Sequence, residues 1–350
     1  MSHNILITGS SGYLGGTLLA RWNTAGLPAY NKLYALVRTP AQAEAVKQYG
    51  AEPLTFDVND EAEVRTAVIN NNITIVYYLI AVRPHTSQSY FLKALAEVKK
   101  NTGLDVHFLQ TSGAKIFSSH AGAPTDKPLF DSDPSLYEIH QAQKAPIGLI
   151  QEAVYTNGFV IDEAEKLGIR SYVFAPCIVY GEGEGFGNKI SIQTVAIVRA
   201  AEAVKRVYSV DANKPTWPVC HVLDNTGLYL ELARRILAGD NPSHGKNGFY
   251  LASPGSVAWD DLYAAIAASL AKRGLVVDDE VVPADEQNLK DMGAALGCPP
   301  NLVSLHIGGR CTFTADRASK ELGWKPLYKP EHILENADTE VDIILRYKKW

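Results

Sequence analysis

The stretch Asn4-Ile5-Leu6-Ile7-Thr8-Gly9-Ser10-Ser11-Gly12-Tyr13-Leu14-Gly15-Gly16-Thr17-Leu18-Leu19 decides the fold. Ile5 to Ile7 is a short apolar run of the kind that forms a buried strand. Gly9, Gly12 and Gly15 follow, and Leu14, Leu18, Leu19 and Trp22 then recur at the spacing of one helix face. A strand, a glycine-rich turn and a helix, in that order, make a cradle for phosphate. The helix start offers unbonded N–H groups and the positive end of its dipole. Gly9 permits the tight turn, Gly12 clears the place where phosphate comes close, and Gly15 lets helix and strand pack tightly. Ser11, Tyr13 and Leu14 supply the rest of the loop.

Downstream, strands are predicted at 33–37, 53–56, 73–82, 106–110 and 170–175, with helices at 41–49, 60–70, 87–100 and 149–167 between them. Gly50 closes the second helix, and Asp60 with Glu63 has capping-box spacing at the start of the third. This alternation predicts an α/β fold, a Rossmann-type doubly wound parallel sheet. Residues 1–181 form the dinucleotide-binding domain on this reading. Beyond it the rhythm weakens. Helical patterns at 190–204, 226–238 and 259–272 and short strands at 248–252 and 280–282 read as a smaller C-terminal substrate lobe over 182–350, with some segments returning to the sheet. In such sheets ligands lie outside the carboxyl ends of the strands. Ile80 and Ala81 after the fourth strand, Thr111 after the fifth, and Pro176 and Ile178 after the sixth are therefore candidate cofactor contacts.

The 350 residues are 46% hydrophobic and 20% charged, which suits one large folded unit and argues against disorder. A net charge of −5 gives no basic surface for nucleic acid. No apolar run reaches the ~18 residues of a membrane span. Cys177, Cys220, Cys298 and Cys311 show no metal-ligand spacing and read as reduced thiols, so no metal is expected. The opening MSHNILITG lacks the basic and apolar regions of a secretory leader, which points to the cytoplasm. The expected partners are a small-molecule substrate and, as an option, a second copy of the chain; neither nucleic acid nor membrane is expected.

The second strand ends Ala35-Leu36-Val37-Arg38-Thr39. A carboxylate at that place holds the adenosine ribose of NAD(H). Arg38 stands there instead, and a guanidinium suits a 2′-phosphate, so NADP(H) is favoured over NAD(H). Asp57, followed by Val58, is placed to accept from an adenine amino group or to cap the next element.

Thr8-Gly9-x-x-Gly12-x-x-Gly15, Asp57-Val58, Thr111-Ser112-Gly113, Pro176-Cys177-Ile178-Val179-Tyr180-Gly181, His221-Val222-Leu223-Asp224 and Ser319-Lys320-Glu321-Leu322-Gly323-Trp324-Lys325-Pro326 occur in the order of one family. With them the chain resembles the extended short-chain dehydrogenase/reductase superfamily, and is NAD-dependent epimerase/dehydratase-like. Most members carry Tyr-x-x-x-Lys and an upstream Ser or Thr. Here those positions fall near Leu149, Ala153 and Gly113, so that mechanism does not transfer. Gln110-Thr111-Ser112-Gly113-Ala114-Lys115-Ile116-Phe117 is similar to a loop of the progesterone 5β-reductase/iridoid synthase-like enone reductases. That resemblance implies an NADPH-dependent reductase of a small carbonyl or enone, with Lys115, Ser112 and Tyr155 as catalytic candidates. A non-redox isomerase, dehydratase or cyclase on this scaffold, and a catalytically silent NADP sensor similar to NmrA-type proteins, are the alternatives.

Other positions carry weaker signals. His85 follows the fourth strand and could donate a proton. Tyr137 and His140 lie in a stretch, 118–148, long enough to form a lid or pocket wall. Asn188 and Lys189 follow a glycine-rich turn and are candidate substrate contacts. Trp217 and Trp259 read as core or interface.

Overall fold

The structure is a computed structural model and describes residues 2–350. The first half runs β1 (Asn4–Ile7), α1 (Tyr13–Trp22), β2 (Lys32–Leu36), α2 (Pro40–Lys47), β3 (Glu52–Leu54), α3 (Glu61–Asn70), β4 (Ile75–Tyr78), α4 (Thr86–Thr102) and β5 (His107–Thr111). Then come β6 (Leu129–Phe130), α5 (Leu136–Ala142), α6 (Gly148–Leu167), β7 (Arg170–Pro176), β8 (Ile178–Tyr180), α7 (Gln193–Val204), β9 (Tyr208–Ser209), β10 (Thr216–His221) and α8 (Val222–Leu237). The remainder holds β11 (Phe249–Ala252), β12 (Gly255–Ala258), α9 (Trp259–Lys272), β13 (Val282–Pro283), α10 (Glu286–Leu296), α11 (Val303–Ile307), β14 (Phe313–Thr314), α12 (His332–Glu335) and α13 (Ala337–Tyr347).

Seven strands form one sheet in the order β11-β7-β5-β4-β1-β2-β3. Every pairing in it is parallel, with Ile7 opposite Ala35 on one side and Tyr77 on the other. Strand order reverses between β1 and β4, the switch point where a crevice opens at the carboxyl edge. The inner strands are buried on both faces, which is why they read as unbroken apolar runs. Helix α3 begins at the Asp60 cap, whose carboxylate accepts from the N–H groups of Ala62 and Glu63.

The chain after residue 181 is shared between two bodies. Strand β11 completes the large sheet beside β7, and α8 packs on α1. A three-stranded sheet, β12-β10-β8, together with α7, α9 and α10 builds the smaller one.

Two expectations need correction, and one strand was not expected. Strand β4 is shorter than the apolar run 73–82, because the Thr8 hydroxyl takes the N–H of Leu79 at 2.9 Å and ends the ladder. The stretch 118–148 is no lid: it contributes β6 and α5, and His140 is buried between Phe117 and Phe249. Strand β10 is a central strand unannounced by the sequence, since Pro218 within it lacks the N–H that such a strand normally donates.

Candidate active site

A cleft of about 470 Å³ opens at the carboxyl edge of the sheet. Its floor is the phosphate loop. Gly9 has φ +66°, and a Cβ there would sit 2.7 Å from the Leu79 carbonyl oxygen. A Cβ on Gly15 would lie 2.4 Å from the Gly9 carbonyl oxygen. Both positions are closed to any side chain. Gly12 is the N-cap of α1, with no side chain capping the helix and no acid in its first turn. The N–H groups of Tyr13, Leu14 and Gly15 therefore lack intrahelical partners, and the fit to a bound phosphate is good. Tyr13 is tucked beneath the next loop, its hydroxyl donating to the Gly181 carbonyl at 2.6 Å.

That loop, 181–193, forms one wall. It rides on α1 through glycine-to-backbone contacts: a Cβ on Gly185 would meet Gly16, and one on Gly187 would meet Ser11. Asn188 N–H donates to the Ser11 carbonyl at 2.9 Å, so Ser11 braces the wall and is not part of the cleft lining. The buried Glu340 of α13 accepts from Gly181 N–H and from the Thr194 hydroxyl, each at 2.8 Å, fastening both ends of the wall. Asn188, Ser191, Ile192 and Gln193 face the cleft.

The opposite wall is β5, its following loop and α6. Thr111, Ser112, Gly113 and Lys115 line it with Leu149, Ile150 and Ala153. The side chains at 149 and 153 are thus apolar at the cleft itself, and a Cβ built on Gly113 would meet nothing within 4 Å. Thr111 Oγ1 bonds the Tyr229 hydroxyl at 2.8 Å, and Tyr229 stacks on Phe174 with ring centroids 3.6 Å apart. Ser112 Oγ accepts the Asn157 amide at 2.9 Å. Burial pushes the Lys115 ammonium down to about 8, opposed weakly by the Cys298 thiol. Its charge also helps hold the His120 and His306 imidazoles low, after burial in both cases. No carboxylate lies on the cleft wall among the described residues.

Other candidates fall elsewhere. Leu79 and Val82 line the cleft where Ile80 and Ala81 were expected, because β4 ends early and the chain turns out; Ile80 is 43% exposed. Pro176, Cys177 and Val179 line it, whereas Ile178 alternates inward to the core. Arg38 is exposed at the end of β2, beyond the cleft lining, with its backbone N–H bonded to Gln42. Asp57 spends one carboxylate oxygen on the N–H and amide of Asn59, and Val58 packs with Phe56 against the buried core that includes Val64, Val76 and Phe91. Tyr155 is not brought to the cleft. It is 57% exposed and rests on His85 and Phe159, on the outer side of α6, so the tyrosine implied by the enone-reductase resemblance has no counterpart there. Asn188 was a candidate and does line the cleft; Arg83, Ser191 and Gln193 were missed, and no local motif marks them. Trp217 and Trp259 are core residues 5.6 Å apart.

Residues 5–244 match the NAD dependent epimerase/dehydratase family. The chain belongs to that family. Solved structures similar to this epimerase/dehydratase family member cover its whole length. PbgP3 from Burkholderia pseudomallei has 11% identity, covers 99% of this chain and 97% of its own, and gives a TM-score of 0.66. A dTDP-glucose 4,6-dehydratase from Bacillus anthracis, solved with NAD, has 11% identity, coverage of 100% and 98%, and a TM-score of 0.65. UDP-glucose 4-epimerase from Thermotoga maritima, solved with UDP-glucose, has 14% identity, coverage of 98% and 99%, and a TM-score of 0.63. These likenesses show the extended short-chain dehydrogenase/reductase fold. No curated protein matches the sequence. Among the described residues no cluster suited to a metal ion occurs, and no helix is long and apolar enough to cross a membrane.

Proposed function

We propose that the protein is an NADP(H)-dependent oxidoreductase acting on a small, mainly apolar carbonyl or enone compound. The observation that carries this reading is Lys115: an ammonium held at about 8 in an apolar cleft that adjoins an uncapped phosphate loop. Gly9, Gly12, Tyr13, Leu14 and Gly15 would hold the pyrophosphate, and Arg38 would face the 2′-phosphate. When bound, such a dinucleotide supplies hydride from its nicotinamide ring. Lys115 stabilises the negative charge that develops on the substrate oxygen and gives up its proton there, with the Ser112 hydroxyl as a second donor. Leu149, Ile150, Ala153 and Ile192 keep water from that oxygen and favour an apolar substrate body. Lys115, helped by Ser112, takes the part that the superfamily resemblance gives to a tyrosine and a lysine, since Leu149 and Ala153 can supply neither group.

The test is NADPH consumption with a panel of aldehydes, ketones and enones, repeated with Lys115→Met. Turnover within about tenfold of wild type after the substitution rejects the reading. The epimerase and dehydratase among the similar structures favour one second reading, a non-redox conversion on the same scaffold. It is distinguished by product formation with no net change in NADPH.

A further inference from the structure

Helix α6 carries Leu149, Ala153 and Asn157 at four-residue spacing, stacked along one face. The first two line the cleft. Asn157 is the polar group that continues this face inward, and it is fully buried. Its amide Nδ2 donates to Ser112 Oγ at 2.9 Å, while its Oδ1 has no partner. A leucine at this position would leave no orphaned acceptor, so the amide weakens the packing that it interrupts. Ser112 is itself held in place, its N–H bonded to the Phe174 carbonyl at 2.7 Å. A serine hydroxyl has one proton and two lone pairs. With the Asn157 amide on one lone pair, the proton is directed elsewhere, and no described residue accepts it.

We infer that Asn157 is a positioning residue that aims the Ser112 hydroxyl proton into the cleft, completing with Lys115 a two-donor site for the oxyanion of an enolate or phenolate. The inference rests on the cleft's being the place of carbonyl chemistry. It assigns the hydrogen-bond sense to a residue that never touches the substrate. Asn157→Asp keeps the shape and, read at a pH where its buried carboxyl is ionised, reverses the sense: a carboxylate only accepts, so it would draw the Ser112 proton to itself and away from the cleft.

The probe is p-nitrophenol, whose phenolate is coloured, titrated into the full chain with NADP+ present. Wild type is expected to bind the phenolate form and lower its apparent pKa. Ser112→Ala and Asn157→Asp should each weaken phenolate binding about tenfold. The double variant should be no weaker than Ser112→Ala, because the asparagine acts only through the serine. Thermal unfolding and NADP+ affinity of each variant check the fold. If Asn157→Asp fails to fold, Asn157→Leu, which packs without polar atoms, carries the same expectation. Phenolate held as tightly by a folded position-157 variant as by wild type, an unchanged loss in the Ser112→Ala background, or no phenolate binding by wild type overturns the inference. Failure of the underlying reading looks different: the phenolate still binds and depends on Asn157, while no carbonyl compound consumes NADPH.

Discussion

At the residue scale, the role proposed for Lys115 sets an expected pH dependence. Lys115 loses its proton near pH 8 instead of near the usual 10.5. On the proposed reading the reactive form is the ammonium, so kcat/KM should be flat below that pH and fall tenfold per unit above it. Lys115→Met should cost roughly 10²- to 10⁴-fold in rate and abolish the fall, while NADP+ affinity stays unchanged in a fluorescence titration. Arg38 makes a second residue-scale prediction. Arg38→Ala should weaken NADPH about ten- to a hundredfold, the worth of a charge-assisted hydrogen bond, and leave NADH nearly unaffected. Equal losses for the two dinucleotides would remove the 2′-phosphate assignment. The exposed position of Arg38 just after β2 was legible, because it depends on a strand end alone. Tyr155 was misread because it lies two residues beyond Ala153 on α6, a rotation of about 200° that turns it from the cleft face to the solvent side.

At the scale of elements, the turn between β1 and α1 is the least tolerant part of the molecule. Gly15→Ala would push a methyl group to 2.4 Å from the Gly9 carbonyl, and the helix would have to retreat from the strand. The expected loss is about 1–3 kcal/mol of unfolding free energy by denaturant titration, together with dinucleotide binding. The wall 181–193 is held differently, by Glu340 at both ends and by the Arg21–Glu184 pair across its outer surface. The carboxylate is buried and accepts two hydrogen bonds, whereas the ion pair is exposed and screened, so Glu340 does most of the holding. The glycine turn of this wall was visible in the sequence. Its fastening to the last long helix was not, because 159 residues separate Gly181 from Glu340.

For the molecule as a whole, Asp131 ties the edge of the large sheet to the C-terminal third. Its carboxylate accepts from Arg317 N–H at 2.5 Å and from Leu251 N–H at 3.3 Å. Burial pushes its carboxyl up to about 7, although the two N–H donors and the Arg317 guanidinium pull it down. The unfolded chain gives up this proton near pH 4 and the folded chain only near 7. The contribution to stability is therefore complete below pH 4 and lost as pH rises to 7. Asp131→Asn cannot titrate. Calorimetric unfolding should show the wild-type stability declining against the variant by on the order of 1–3 kcal/mol over that interval, and a constant difference would exclude Asp131 as the source. The sequence by itself determined the phosphate turn, the alternating strands and helices, and hence the parallel sheet and its reactive edge. Those follow from glycine placement and apolar period, which act over a few residues. What lines the cleft came from the packing of distant segments: Arg83, Ser191 and Gln193 on its walls, Ser112 tied to Asn157, and a wall fastened from the C-terminal helix. Contacts between distant segments leave no spacing in the chain, because they depend on how packed layers meet and not on what any one stretch prefers.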